Sequence, residues 1–150
     1  MKASQVSTFQ GSNNYGAGRC TDGNVGTLCH TKCGNNVWFK MTLQDVFCID
    51  KVKIVGHKTD GAQYRMNKGK ILVLNSKTDD ETLCGTLQIR DTPTREGQTY
   101  HIQCGKYICG DQVKLSVIRA ENEAEGCIIM REITAYYSTG KSTDLLHRTF

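Results

Sequence analysis

The sequence predicts an all-β domain, a sandwich or a barrel, from three observations. Its apolar residues fall in short runs whose periodicity is that of strands, those runs are rich in β-branched and aromatic residues, and Gly, Asn and Asp separate them. In order, the runs are Phe47–His57 (FCIDKVKIVGH), Lys70–Asn75 (KILVLN), Thr86–Arg90 (TLQIR), Thr99–Cys104 (TYHIQC), Gln112–Arg119 (QVKLSVIR) and Cys127–Tyr137 (CIIMREITAYY). Glu121–Gly126 (ENEAEG) comes nearest to a helix, but it is too short and has no apolar stripe. Trp38 and Phe39 enter a strand and are expected in the core.

A chain of 150 residues is the size of one domain. We take residues 1–140 as the domain and 141–150 as a tail expected to fray. Gly11–Asn36 (GSNNYGAGRCTDGNVGTLCHTKCGNN) is long for a connection, and its three cysteines predict an ordered, functional loop. Met1–Gly11 is polar and lacks the apolar core of a signal peptide, and no apolar run reaches membrane-spanning length. The expected chain is soluble, in its mature form, without membrane insertion.

Eight cysteines, an even number, fit a disulfide framework and an oxidising, extracellular compartment. The competing reading is zinc, since CHTKC places Cys29, His30 and Cys33 together. A structural zinc site usually adds a second compact ligand pair, and Cys104 with Cys109 is a loose one with no histidine between them. The net charge of +4 is modest and dispersed, which argues against nucleic acid. No nucleophile elbow, zinc-protease helix or phosphate-cradling glycine loop is present, so no catalysis is expected.

Several motifs resemble the F-type lectins, or fucolectins. "ASQVSTF", "RCTDGN", "TLCHT" and "WFKMTL" follow that family's order and spacing, "CG" at Cys84 and "CGKYI" from Cys104 take its downstream places, and "MREITAYY" its last strand. The resemblance implies an eight-stranded antiparallel jelly-roll β-sandwich, shared with discoidin and the coagulation-factor C domains. It also implies a non-covalent carbohydrate-binding protein for fucose or a related glycan, secreted and active in cell recognition and innate immunity. The family's sugar motif, a His followed at a distance by Arg-x-Asp and a further Arg, is similar to His30, then Lys58 and Asp60 in "KTD", then Arg65. Lys58 replaces the family's first Arg, and Gly61 and Ala62 stand where many fucose binders carry two adjacent cysteines.

In that reading His30, Lys58 and Arg65 supply charged donors to sugar hydroxyls, and Asp60 orients one of the cations. The resemblance further implies a structural calcium held by the side chains of Asp22, Asn24 and Glu132, the backbone carbonyls of Arg19 and Arg131, and Thr27. It pairs Cys84 with Cys104. Arg131 stands where the family's last cysteine falls, so Cys127 is expected to take over that bridge, to Cys29. A single weak sugar site gains avidity through oligomers or clustered glycans. The alternative is a discoidin-like adhesion module that binds a protein or a phospholipid headgroup through the same loops.

Overall fold

The computed structural model describes residues 1–57, 62–89, 98–137 and 148–149. It contains eight strands: β1 (Lys2–Gln5), β2 (Cys29–His30), β3 (Asn36–Gly56), β4 (Lys70–Asn75), β5 (Asp80–Thr86), β6 (Thr99–Ile118), β7 (Ile129–Tyr137) and β8 (Arg148–Thr149). The pairing order is β2-β7-β3-β6-β4-β5, with β1 added beside β3 and β8 beside β7, and every pairing is antiparallel. The predicted all-β class is the observed one. Helical structure in the described residues is limited to single 3₁₀ turns.

Two strands organise the rest. β3 and β6 pair with each other along nearly their whole length, from Asn36↔Ile118 to Val55↔Thr99, with irregularities between Thr42 and Phe47 and between Ile49 and Lys51. At those breaks the company changes. The first half of β3 pairs with β1 and the second half of β6 with β4, whereas the second half of β3 pairs with β7. Each long strand thus belongs to both layers of the sandwich. The expected run Phe47–His57 falls on the second half of β3, and the expected runs Thr99–Cys104 and Gln112–Arg119 fall on the one strand β6.

Alternation sets the faces. Phe39, Met41, Ile71, Val73, Val113, Leu115 and Val117 are buried from one group of strands, and Ile49, Val52, Ile54, Ile102, Ile108, Ile133 and Ala135 from the other. Period-2 geometry sends neighbours to opposite sides, so Phe39 is fully buried and Trp38 only half so. The expectation that both were core is corrected accordingly. The expected strand at Thr86–Arg90 also shifts: β5 ends at Thr86, and Leu87 and Ile89 are buried beyond its end. Gly110 is a required glycine, because a Cβ there would stand 2.3 Å from the Leu74 carbonyl oxygen.

Four disulfides are formed: Cys20–Cys29, Cys33–Cys127, Cys48–Cys109 and Cys84–Cys104. The expected Cys29–Cys127 bridge is not one of them, and the strand register explains why. Cys29 lies opposite Met130 and His30 opposite Ile129, so counting on along the pair brings Cys127 level with the residues just after Thr31. Cys33 is the cysteine there, while Cys29 turns to Cys20 and closes its own loop. Of the tail expected to fray, only Arg148 and Thr149 are among the described residues, and they pair with Tyr137 and Tyr136.

Candidate functional site

Three groups of the singled-out residues can be located. The first is the TDGN loop. Gly23 has a positive φ of 74°, which glycine tolerates, and the Asp22 carboxylate accepts from the Asn24 amide at 2.9 Å. The Thr27 hydroxyl lies against both Asp22 carboxylate oxygens, the Arg19 carbonyl oxygen at 3.0 Å and the Asn24 carbonyl oxygen at 2.8 Å. The Asn24 side-chain oxygen accepts from the Gly26 amide. Glu132 reaches this loop from β7. Its carboxyl is pushed up to about 7 by burial and by the Asp22 charge, and a backbone hydrogen bond from Gly23 opposes that rise. Its Oε2 is buried without a hydrogen-bond partner.

Arg19, Asp22, Asn24, Thr27 and Glu132 therefore do come together. Oxygens from the loop, two carboxylates that repel each other and one orphaned carboxylate oxygen fit a hard cation such as calcium, which takes six to eight oxygens. Arg131 contributes something the sequence did not suggest, a guanidinium that donates to the Val25 carbonyl and so ties the same loop to β7.

The second group surrounds Arg65. The 3₁₀ turn Ala62–Met66 buries Met66 in the core and leaves Arg65 exposed. Between this turn and the segment after β6 lies a groove of about 330 Å³, lined by Tyr64, Arg65, Asn67, Lys68, Arg119 and residues 123–125. Arg65 Nη1 donates to the Glu125 carbonyl across it, at 3.4 Å. Arg119 donates to the carbonyls of Arg65 (3.2 Å) and Asn67 (2.7 Å), which fixes one wall to the other. Sequence reading missed Arg119, Glu123 and Glu125. Arg119 reads only as the end of the run Gln112–Arg119, and the signal for the two glutamates is the charge-rich stretch Glu121–Gly126, which reads only as a failed helix.

The third group surrounds His30, whose ring stacks on Phe9 at 4.2 Å and meets Tyr15 edge-on at 5.9 Å. Its pKa is held below the usual histidine value by burial and then by His57. His30 is not among the residues that line the Arg65 groove. Of the expected sugar quartet, Lys58 and Asp60 lie outside the described residues, and His30 and Arg65 are the two that the structure describes.

Comparison by sequence matches the chain to no protein-family model and to no curated protein. Comparison by structure does find similar folds. The fucolectin from striped bass (Morone saxatilis) serum superposes with a TM-score of 0.72 at 22% identity, over 91% of this chain and 45% of that one. This is the fold of the F-type lectins. The lectin domain of lectinolysin, in complex with the Lewis B antigen, gives 0.73 at 19% identity over 91% of this chain and 92% of that one. A family 32 carbohydrate-binding module from C. perfringens NanJ, in complex with galactose, gives 0.65 at 17% identity, covering 89% and 91%. The chain spans less than half of the striped bass protein but nearly all of the other two domains. At these identities the likeness is one of fold.

Proposed function

We propose that the protein is a secreted, non-catalytic lectin that binds a glycan, fucose-bearing or related, and carries a structural calcium. The observation behind this reading is the Arg65 groove. Tyr64 offers an aromatic face for the C–H side of a pyranose, Arg65, Asn67 and Lys68 offer donors, and the carboxylates of Glu123 and Glu125 accept from hydroxyls. The volume of the groove suits one or two sugar units. Arg65 is the leading residue in this reading because a guanidinium can fork onto two adjacent hydroxyls. Lys58, Asp60 and His30 are assigned supporting roles by the resemblance.

Calcium acts on the fold in this reading. Arg19, Asp22, Asn24, Thr27, Arg131 and Glu132 would hold it, and its charge would relieve the repulsion between the two carboxylates while joining the loop to β7. Four disulfides support an extracellular setting. A glycan array probed with the parent protein and with Arg65→Ala tests the function. Binding by the parent and its loss in the folded variant supports the groove. If no glycan binds at all, the lectin reading fails and the adhesion-module alternative replaces it.

A further inference from the structure

The lysines are dispersed along the sequence, yet the strand register gathers four of them on one surface. Phe39, Met41, Ile71, Val73, Val113 and Leu115 point inward, which leaves the residues between them on the outer side of the layer built from β1, β3, β6 and β4. On that side Lys2 lies opposite Thr42, and Lys40 is the next outward residue of β3. Lys40 lies opposite Lys114, and Ser116, the next outward residue of β6, lies opposite Lys70. Lys2, Lys40, Lys114 and Lys70 thus form an oblique line with one cation on each of four adjacent strands. At about 4.8 Å per strand the line crosses roughly 14 Å of sheet. Lys2 and Lys70 are exposed, and Lys40 and Lys114 are half-buried.

The arrangement costs the fold something. Like charges directly opposite across an antiparallel pair destabilise a sheet, and Lys40 and Lys114 are such a pair. Glu81 offsets part of this, 3.5 Å from Lys114 Nζ, and among the described residues no other ion pair reaches the line. Four positive charges less that one negative charge leave +3 here, against +4 for the whole chain. Trp38, the only tryptophan, lies on the same face as Lys40, two positions before it and half-buried.

We propose that this outer face is a second binding surface, for a linear sulfated polysaccharide laid along the lysine line. Sulfate oxygens accept charge-assisted hydrogen bonds from the ammonium groups, and a polyanion there relieves the repulsion between Lys40 and Lys114. A chain fits better than a single ion, because the cations form a track across the strands and do not converge on one point. Trp38 supplies the aromatic surface against which the C–H side of a pyranose packs. Four disulfides favour an oxidising setting, and with it an extracellular polyanion over nucleic acid. None of these residues lines the Arg65 groove, and the proposal does not rest on the reading of that groove.

Heparin is the probe, with the intact, disulfide-bonded protein and circular dichroism to confirm that each variant keeps its sheet. Because Trp38 is the sole tryptophan, its emission reports contact at the face itself. Heparin should change that emission, with an affinity that falls as salt rises. Lys40→Gln/Lys114→Gln should weaken binding roughly tenfold or more. Lys32→Gln/Lys106→Gln removes two exposed lysines elsewhere and lowers the net charge equally, and it should leave binding nearly unchanged, as should Arg65→Ala. The proposal is overturned if heparin does not bind at low salt, or binds without a change at Trp38. It is equally overturned if the control pair loses as much affinity as the face pair, which is adsorption by net charge, or if phosphatidylserine vesicles or duplex DNA change Trp38 as strongly as heparin does.

Discussion

The Thr27 hydroxyl sits between the two carboxylate oxygens of Asp22, 3.1 Å from one and 2.9 Å from the other. This hydroxyl is the centre of the loop, with the Arg19 and Asn24 carbonyl oxygens around it. In the proposed reading a calcium ion would bind these loop oxygens and stabilise the native loop. Chelation should therefore lower the melting temperature, and Asp22→Ala should lower it by a similar amount and abolish the response to chelator. A ligand at about a hundred times its dissociation constant contributes about 2.7 kcal/mol, which is roughly 5–10 °C for a chain of this size. A melting curve indifferent to both changes removes the metal from the account.

Binding energy in the groove should be concentrated at Arg65. A hydrogen bond from a charged group is worth about 1.5–3 kcal/mol, so Arg65→Ala should weaken the best array ligand by roughly ten- to a hundredfold. Lys58→Ala should cost less and His30→Ala least. Calorimetry on the folded variants gives the order directly. Parent affinity should be weak, roughly micromolar to millimolar, because a small ligand makes few contacts.

Cys84 and Cys104 are both buried, and their bridge encloses a separation of 20 residues. The chain-entropy model gives such a loop about 3 kcal/mol. Replacing both with alanine should lower the melting temperature by roughly 6–12 °C. Non-reducing peptide mapping of the parent should recover the pair intact.

Asp111 on β6 anchors the turn after β4, accepting from the Ser76 amide at 2.9 Å and from the Ser76 hydroxyl. These bonds hold its carboxyl below the usual carboxylate value. Because the folded pKa is depressed, the stability it confers is present above the unfolded pKa and is lost as pH falls through the folded one. The Asp111 side chain is only partly buried, so water screens the interaction and the effect is small, under about 1 kcal/mol. Asp111→Asn should lose that much at neutral pH and nothing more in acid, where the parent has lost it too. Acid titrations of the melting temperature for the two proteins should converge.

How much of this could be read from the sequence depends on how local each signal is. β4 was legible to the residue because Lys70–Asn75 is one uninterrupted apolar run with turn residues after it. The turn at Thr21–Asn24 was legible because Asp-Gly and Gly-Asn are local signals for positive φ, which Gly23 has. The partner of Cys127 was not, since choosing Cys33 over Cys29 needs the β2–β7 register, and nothing local encodes it. Arg119 and Glu125 were missed for a related reason: they line the groove only because β6 ends beside the Arg65 turn, more than fifty residues earlier in the chain. Trp38 shows a third kind of failure, in which residue type outweighed the period-2 rule that puts Phe39 inside.

The two long strands shared by both layers also bear on how the chain acquires its structure. Asn36 pairs with Ile118, so neither layer can close until the polypeptide has been made past that point, and neither can form alone. Contacts so far apart in sequence must be reached before they give any return, which slows folding to the millisecond-to-second range. During synthesis the first half of β3 waits with its edges unpaired, which makes the nascent chain dependent on whatever protects exposed strands until β6 emerges. Once formed, the shared strands should make the domain unfold as one cooperative unit, with no half-folded form in which one layer survives the other.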